Sequence, residues 1–185
     1  MSSSTIYQLK VTLEGTKPAI WRRILVPSDI KLDTLHLAIQ ISMGWNNAHL
    51  HQFFNRELEF YGPRELATDT EVKDESQFQL AQLLGAEHDC IRYEYDFGDG
   101  WIHLIILEKI LPAGSQKKLP YCSVSKYACP PEDCGGIWAY ATIRKILADP
   151  EHKDYAKTIR YLDDGFDPSH VNRRSINQSL FKYCQ

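Results

Sequence analysis

The sequence of 185 residues predicts an α+β fold: one antiparallel sheet built largely of hairpins, covered by helices, with the C-terminal third mainly helical. Three observations point there. Tyr7, Leu9, Val11 and Leu13 alternate with Gln8, Lys10, Thr12 and Glu14, the period of two that marks a half-buried strand. Residues 91–111 read as two β-rich runs joined by Gly98-Asp99-Gly100, a hairpin pattern. The helical patterns come late, so strands precede helices instead of alternating with them. Apolar residues make up 43% of the chain and charged residues 24%, which excludes a disordered chain. The length suits one domain over residues 1–185.

The elements follow in order. Residues 15–18 read as a turn and 20–26 as a second strand, ended by Pro27 and paired with the first as a hairpin. Asp33 is the expected N-cap of a helix running to about Met43, with Gly44 as its stop. Leu32, Leu35, Ile39 and Met43 fall on its apolar stripe. Residues 49–54 read as a short strand. The acidic stretch 62–76 reads as a surface loop, followed by a helical turn around 78–84. In the 91–111 hairpin, Ile91, Tyr93, Tyr95 and Phe97 share one face, and both turn glycines can supply positive φ. Residues 112–135 read as an irregular loop, and 137–148, 153–162 and 171–183 as three helices.

The formal net charge of −3 is unevenly spread: residues 61–110 carry 11 acidic and 4 basic side chains, residues 111–185 carry 8 and 11. Without an overall basic field, nucleic acid is a disfavoured partner, although a local basic patch in the last third stays open. The start, Met1-Ser2-Ser3-Ser4-Thr5, has neither the basic nor the apolar region of a signal peptide. The apolar run at 104–107 is far too short for a membrane span. Five cysteines, an odd number, argue for a reducing cytoplasm with free or metal-bound thiols.

Three segments carry candidate chemistry. At the hairpin tip, Asp96 and Asp99 flank the turn, with Trp101 and His103 on the returning strand; the carboxylates suit a hard cation or, equally, an Asx-type turn. In Cys129-Pro130-Pro131-Glu132-Asp133-Cys134-Gly135-Gly136, a rigid loop presents a charged pair. Cys122, Cys129 and Cys134 are candidate zinc ligands at marginal spacing, needing a fourth from His103, His88 or Cys90. In Trp45 to Phe53, a strand would point His49 and His51 to the same side, toward one metal or anion, or into the core. Arg22-Arg23 and Arg173-Arg174 read as solvated charges or partners of the acidic middle segment. Walker A, dinucleotide-type glycine, H-E-x-x-H and G-x-S-x-G patterns are all missing.

Together these residues resemble a known family. Trp21-Arg22-Arg23 through Leu35-His36, Met43-Gly44-Trp45 to Phe53, Tyr95-Asp96-Phe97-Gly98-Asp99-Gly100-Trp101-Ile102-His103 and Cys129 to Tyr140 are similar to the plasmid pRiA4b open-reading-frame-three-like family. That family is found on plasmids and insertion sequences and as stand-alone microbial proteins. Phe166-Asp167-Pro168 to Ile176-Asn177 resembles its ending, and Ala139 stands where the family pattern has glycine. A resolvase-like label on some members would require a nucleophile, several arginines at the phosphate and a basic DNA grip, which the acidic middle contradicts. The family carries no established activity, and the leading expectation from the residues is a cytoplasmic binding or interaction module, linked to plasmid or transposable-element biology, with an unknown protein or small-molecule partner. The alternative is a metal-dependent hydrolase or nuclease, with a divalent metal in a cleft of His49, His51, Asp96, Asp99, Trp101, His103, Glu132 and Asp133.

Overall fold

A computed structural model of the chain describes residues 4–68, 71–116, 118–162 and 165–184. Residues 1–3 at the start of the sequence and residues 69–70 of the acidic stretch lie outside the described residues. In chain order the elements are β1 (Ile6–Leu13), β2 (Ile20–Pro27), α1 (Leu32–Met43), β3 (His51–Phe54), β4 (Phe60–Gly62), α2 (Arg64–Ala67), β5 (Lys73–Asp74), α3 (Leu80–Leu83), β6 (Cys90–Tyr95), β7 (Trp101–Leu111), β8 (Tyr121–Lys126), α4 (Gly136–Leu147), α5 (Tyr155–Tyr161) and α6 (Arg173–Tyr183). The eight strands form one mixed sheet in the order β5-β4-β3-β6-β7-β1-β2-β8, antiparallel except for the β4–β5 pair.

Alternation decides which face is buried. Leu9, Val11 and Leu13 on β1 sit opposite Leu107, Ile105 and His103 on β7, and all six are buried. The next register partners of Trp101, His103 and Ile105 are Tyr95, Tyr93 and Ile91, which continue the layer onto β6. Helix α1 covers this face: Leu32, Leu35, Ile39 and Met43 are buried as the stripe predicts, and His36 and Gln40 both bond the Tyr93 hydroxyl at 2.8 Å. Each such fully buried aliphatic side chain is worth about 1.5–3 kcal/mol in water exclusion. Helix α6 packs on both α1 and the edge strand β8, where the Asn177 amide accepts from the Cys122 N–H at 2.7 Å and donates to its C=O at 3.0 Å.

Several expectations need correction. The cap before α1 is Lys31, not Asp33: the Leu32 N–H donates to the Phe78 carbonyl, so backbone from the α3 segment replaces a side-chain cap, and Asp33 bonds only its neighbour Thr34. Gly44 does end the helix, at φ +102. The 62–76 stretch is more than a loop, because β4, α2 and β5 extend the sheet through it. Residues 112–135 are likewise not all irregular: β8 pairs with β2, so the chain from 136 to 183 carries the helices while a strand reaches into the last third. Phe97 leaves the shared face and stands 43% exposed in the turn. There, Gly100 (φ +66) and Asp96 (φ +57) take the left-handed conformation, and Gly98 does not.

Arg22 is neither solvated nor ion-paired. It is completely buried, and its guanidinium donates to the carbonyls of Ser42 at 2.6 Å, of Trp21 and Lys126 at 3.0 Å, and of Met43 at 3.4 Å. It ties the end of α1 to the sheet. Its neighbour Arg23, on the opposite face, pairs with Glu108 of the acidic middle as expected. No described helix is long and apolar enough to cross a membrane.

Candidate acidic-histidine site at the hairpin tip

The site forms where three loops meet at one end of the sheet. The first follows Gly44. A closed ring of hydrogen bonds holds it: Gln40 donates to the Tyr93 hydroxyl, that hydroxyl serves His36 Nδ1, His36 Nε2 serves Asn47 Oδ1 at 2.8 Å, and the Asn47 N–H returns to Gln40 Oε1 at 2.9 Å. Asn47 sits at φ +54, a conformation asparagine tolerates better than most residues. Strand β3 therefore begins only at His51, and His49 stays in the loop, outside the strand parity that would have aligned the two imidazoles.

The second loop is the β6–β7 tip. Asp96 Oδ1 accepts from the N–H groups of Gly98 at 3.0 Å and Asp99 at 3.3 Å, an Asx turn, while Oδ2 faces His49 Nε2 at 3.7 Å. The third is the Cys129–Gly136 loop. Asp99 Oδ2 accepts from the Gly135 N–H at 3.0 Å, and a Cβ on Gly136 (φ +76) would lie 2.7 Å from the Asp99 carbonyl oxygen. Only glycine permits that approach.

Glu132 completes the site. Its Oε1 accepts from the Asn46 N–H at 2.6 Å and from the Tyr95 hydroxyl at 3.0 Å, and that hydroxyl accepts from the Ala48 N–H at 2.9 Å. Burial, with Glu132 adding to it, pushes Tyr95 up to about 12, so the phenol stays a donor. Glu132 Oε2 is buried without a hydrogen-bond partner, 3.9 Å from His49 Nε2, which is itself buried and unpartnered. Asp133 Oδ1 lies 3.1 Å from the same nitrogen but off the line of a hydrogen bond; its side chain is 74% exposed. One ligand atom each from His49, Asp96 and Asp133 lie within 4.8 Å of one another, close enough to share an ion whose ligands can stand up to about 5 Å apart.

The other candidates are placed elsewhere. His51 Nε2 contacts both oxygens of the buried Glu75 carboxylate at 3.0 Å, and its ring stacks on His36 at 3.4 Å. His103 is buried against backbone: Nδ1 bonds the carbonyls of Trp101 at 3.0 Å and Tyr93 at 3.3 Å, and Trp45 Nε1 donates to Nε2 at 3.4 Å. Burial holds it neutral, lowered to about 4, and His36 is lowered to about 3 by burial and by its neighbour His51. Trp101 is a core residue packed on Trp45. Asp99 joins two loops but is outside the cluster of ligand atoms.

The zinc expectation for Cys122, Cys129 and Cys134 does not fit. Among the described residues these thiols form no group of three clustered ligand atoms. Cys122 donates to the Val124 carbonyl at 3.3 Å. Burial raises all three, Cys122 to about 11 and Cys134 to about 12. Sequence reasoning missed Tyr95, Glu75 and Arg22 as polar anchors; the buried parity of Tyr95 was legible, but the hydroxyl's partners lie 47 and 37 residues away.

Comparisons with known proteins agree with this architecture. The crystal structure of MM3350, a protein of unknown function from Methanosarcina mazei Go1, is similar with a TM-score of 0.83 at 36% identity, covering 92% of this chain and 96% of that one. The uncharacterized protein y4hQ of Sinorhizobium fredii (strain NBRC 101917 / NGR234) is 34% identical over 178 residues, 96% of this chain and 91% of its own length. A family model described as plasmid pRiA4b ORF-3-like protein matches residues 5–175, a span holding all three loops of the site. The chain belongs to the plasmid pRiA4b ORF-3-like protein family.

Proposed function

We propose that the chain is a cytoplasmic binding module whose ligand-facing element is a divalent-cation site formed by His49, Asp96 and Asp133, with the Glu132 carboxylate beside it. One observation carries the reading: His49 Nε2 and Glu132 Oε2 are buried side by side, 3.9 Å apart, with no hydrogen-bond partner for either among the described residues. Leaving such atoms unsatisfied costs about 1–3 kcal/mol each. A cation held by His49, Asp96 and Asp133 satisfies the imidazole and offsets the charge of Glu132 beside it. One imidazole with carboxylates suits a first-row ion such as Mn²⁺ or Zn²⁺. The five free cysteines support a reducing compartment, and the family's plasmid origin supports a link to plasmid biology.

A cavity of about 490 Å³ beside the site favours a second reading, metal-dependent hydrolysis. Glu132 and Asp133 line it together with Asn46, Pro131, Tyr161 and Phe166. A cation at its rim would polarise a bound ester and activate water.

Thermal melts in chelator, then with Mn²⁺ or Zn²⁺, test the module. Saturation at about 100 times Kd adds about 3 kcal/mol, a rise of roughly 5–10 °C for a chain of this size. Asp96→Asn keeps the turn-forming Oδ1 acceptor and removes the charge, so it should abolish the rise. Melts indifferent to cations and chelator would overturn the assignment. Turnover of a simple phosphodiester with Mn²⁺, lost in Asp96→Asn, would move the reading from binding to hydrolysis.

A further inference from the structure

The acidic cluster lies at the end of the sheet where β7 begins at Trp101 and β1 ends at Leu13. The opposite strand ends lie beside β8 and α6. The register runs from Lys109 through Gln8 and Leu25 to Tyr121 on edge strand β8. Between β8 and α6 opens a cavity of about 690 Å³ whose wall includes Lys118, Tyr121, Arg173, Arg174, Asn177 and Phe181, a volume typical of small-molecule sites.

Three cations meet there, and among the described residues the wall contains no carboxylate. Among the described residues neither Lys118, Arg173 nor Arg174 forms an ion pair, and both arginines are exposed, the solvated alternative of the two expected for that pair. Part of the wall is fixed in place, while Arg174 and Lys118 are exposed. Asn177 clamps α6 to the backbone of Cys122, and Arg173 donates from Nη1 to the Ser123 carbonyl at 2.6 Å. That bond uses one of the five guanidinium donors. Lys118 Nζ stands 3.9 Å from the centre of the Phe181 ring, which is 44% exposed.

We propose that this cavity between β8 and α6 binds an organic phosphate, with the phosphate on Arg173, Arg174 and Lys118 and the organic body against Tyr121 and Phe181. Two guanidinium forks and an ammonium match the nearly two negative charges and three oxygens of a phosphate monoester. The volume argues for a body of nucleotide size, because a lone phosphate would leave most of the space to water. This site shares no residue with the cation site, so the two readings stand or fall separately.

Isothermal titration of the full chain with adenosine monophosphate, inorganic phosphate and adenosine tests it, using wild type, Arg174→Gln and the exposed control Lys153→Gln. Adenosine monophosphate should bind one to one and at least tenfold tighter than either phosphate or adenosine. Arg174→Gln should weaken it at least fivefold with an unchanged melting temperature, while Lys153→Gln leaves it unaltered. Absence of saturable binding by all three probes would overturn the proposal. So would equal affinity for the nucleotide and either of its parts, or equal weakening by both variants.

Discussion

Four histidines sit within two neighbouring regions, and their surroundings differ in kind. His36, His51 and His103 belong to the layer under α1, where imidazole nitrogens meet Asn47, Tyr93, Glu75 or backbone carbonyls. His49, one turn of loop away, keeps a buried nitrogen with no hydrogen bond, among three carboxylates. The same loop, residues 45–50, closes one network through Asn47 and leaves the next open at His49. A polar group that is fully satisfied inside the protein has nothing left to offer a ligand; an unsatisfied one costs stability until something binds it. The contrast supports reading the histidine layer as scaffold and the tip as the binding face.

The largest effect expected from this difference is an acid-sensitive scaffold. In the unfolded chain histidine titrates near its ordinary 6.5, whereas burial lowers folded His103 to about 4 and His36 to about 3. The unfolded state therefore binds protons first. Stability is complete above about pH 7 and falls as pH drops from 6.5, each histidine removing roughly 3 kcal/mol by pH 4. Urea unfolding at pH 7.5, 5.5 and 4.0 measures the fall. The ring resonances of both residues should stay at their neutral positions down to pH 5. Stability that is level from pH 7.5 to 4.0 would show that these rings are not held neutral.

A smaller effect should separate the two regions. Gly136→Ala places a methyl 2.7 Å from the Asp99 carbonyl oxygen at a positive φ, so the tip and the Cys129–Gly136 loop must part. Strain at such a residue costs about 1–3 kcal/mol, and the lost Asp99–Gly135 contact adds to it. Denaturant unfolding near neutral pH should register about 2–4 kcal/mol. The histidine layer should keep its resonances, and the response to Mn²⁺ should vanish. Retention of that response would mean that the loop is not needed for the site.

Much of the scaffold was legible because it repeats a period. The β1–β2 and β6–β7 hairpins, the stripe of α1 and its Gly44 stop all follow from alternation, helical spacing or a required positive φ. The same parity carries His103 to the buried face between Trp101 and Ile105, and His51 beside Phe53. Strands β4, β5 and β8 escaped because they are short or polar and gain their pairing from edges of the sheet that local sequence does not reveal. Arg22 escaped for a related reason: four carbonyls gathered from β2, α1 and β8 solvate it, and none is visible as a charge partner. At the tip, residue types and turn chemistry marked Asp96, Glu132, Asp133 and His49. Which atoms stay unsatisfied depends on contacts between segments as far apart as Asn46 and Glu132.

The finest comparison is between the two oxygens of Glu132. Oε1 is structural, accepting from Asn46 and Tyr95, and Oε2 is the unsatisfied atom beside His49. Glu132→Gln can keep an oxygen at the first position while placing a neutral amide at the second. Removing one of three clustered carboxylate charges relieves repulsion, and an amide N–H directed at His49 Nε2 can supply the missing bond. Stability in chelator should therefore change by less than about 1 kcal/mol, toward a gain. Mn²⁺ affinity should fall severalfold, because the site loses a negative charge 3.9 Å from the His49 nitrogen. A variant that loses several kcal/mol in chelator would show that Oε2 is part of the scaffold, and the distinction between the two regions would fail at its most direct point.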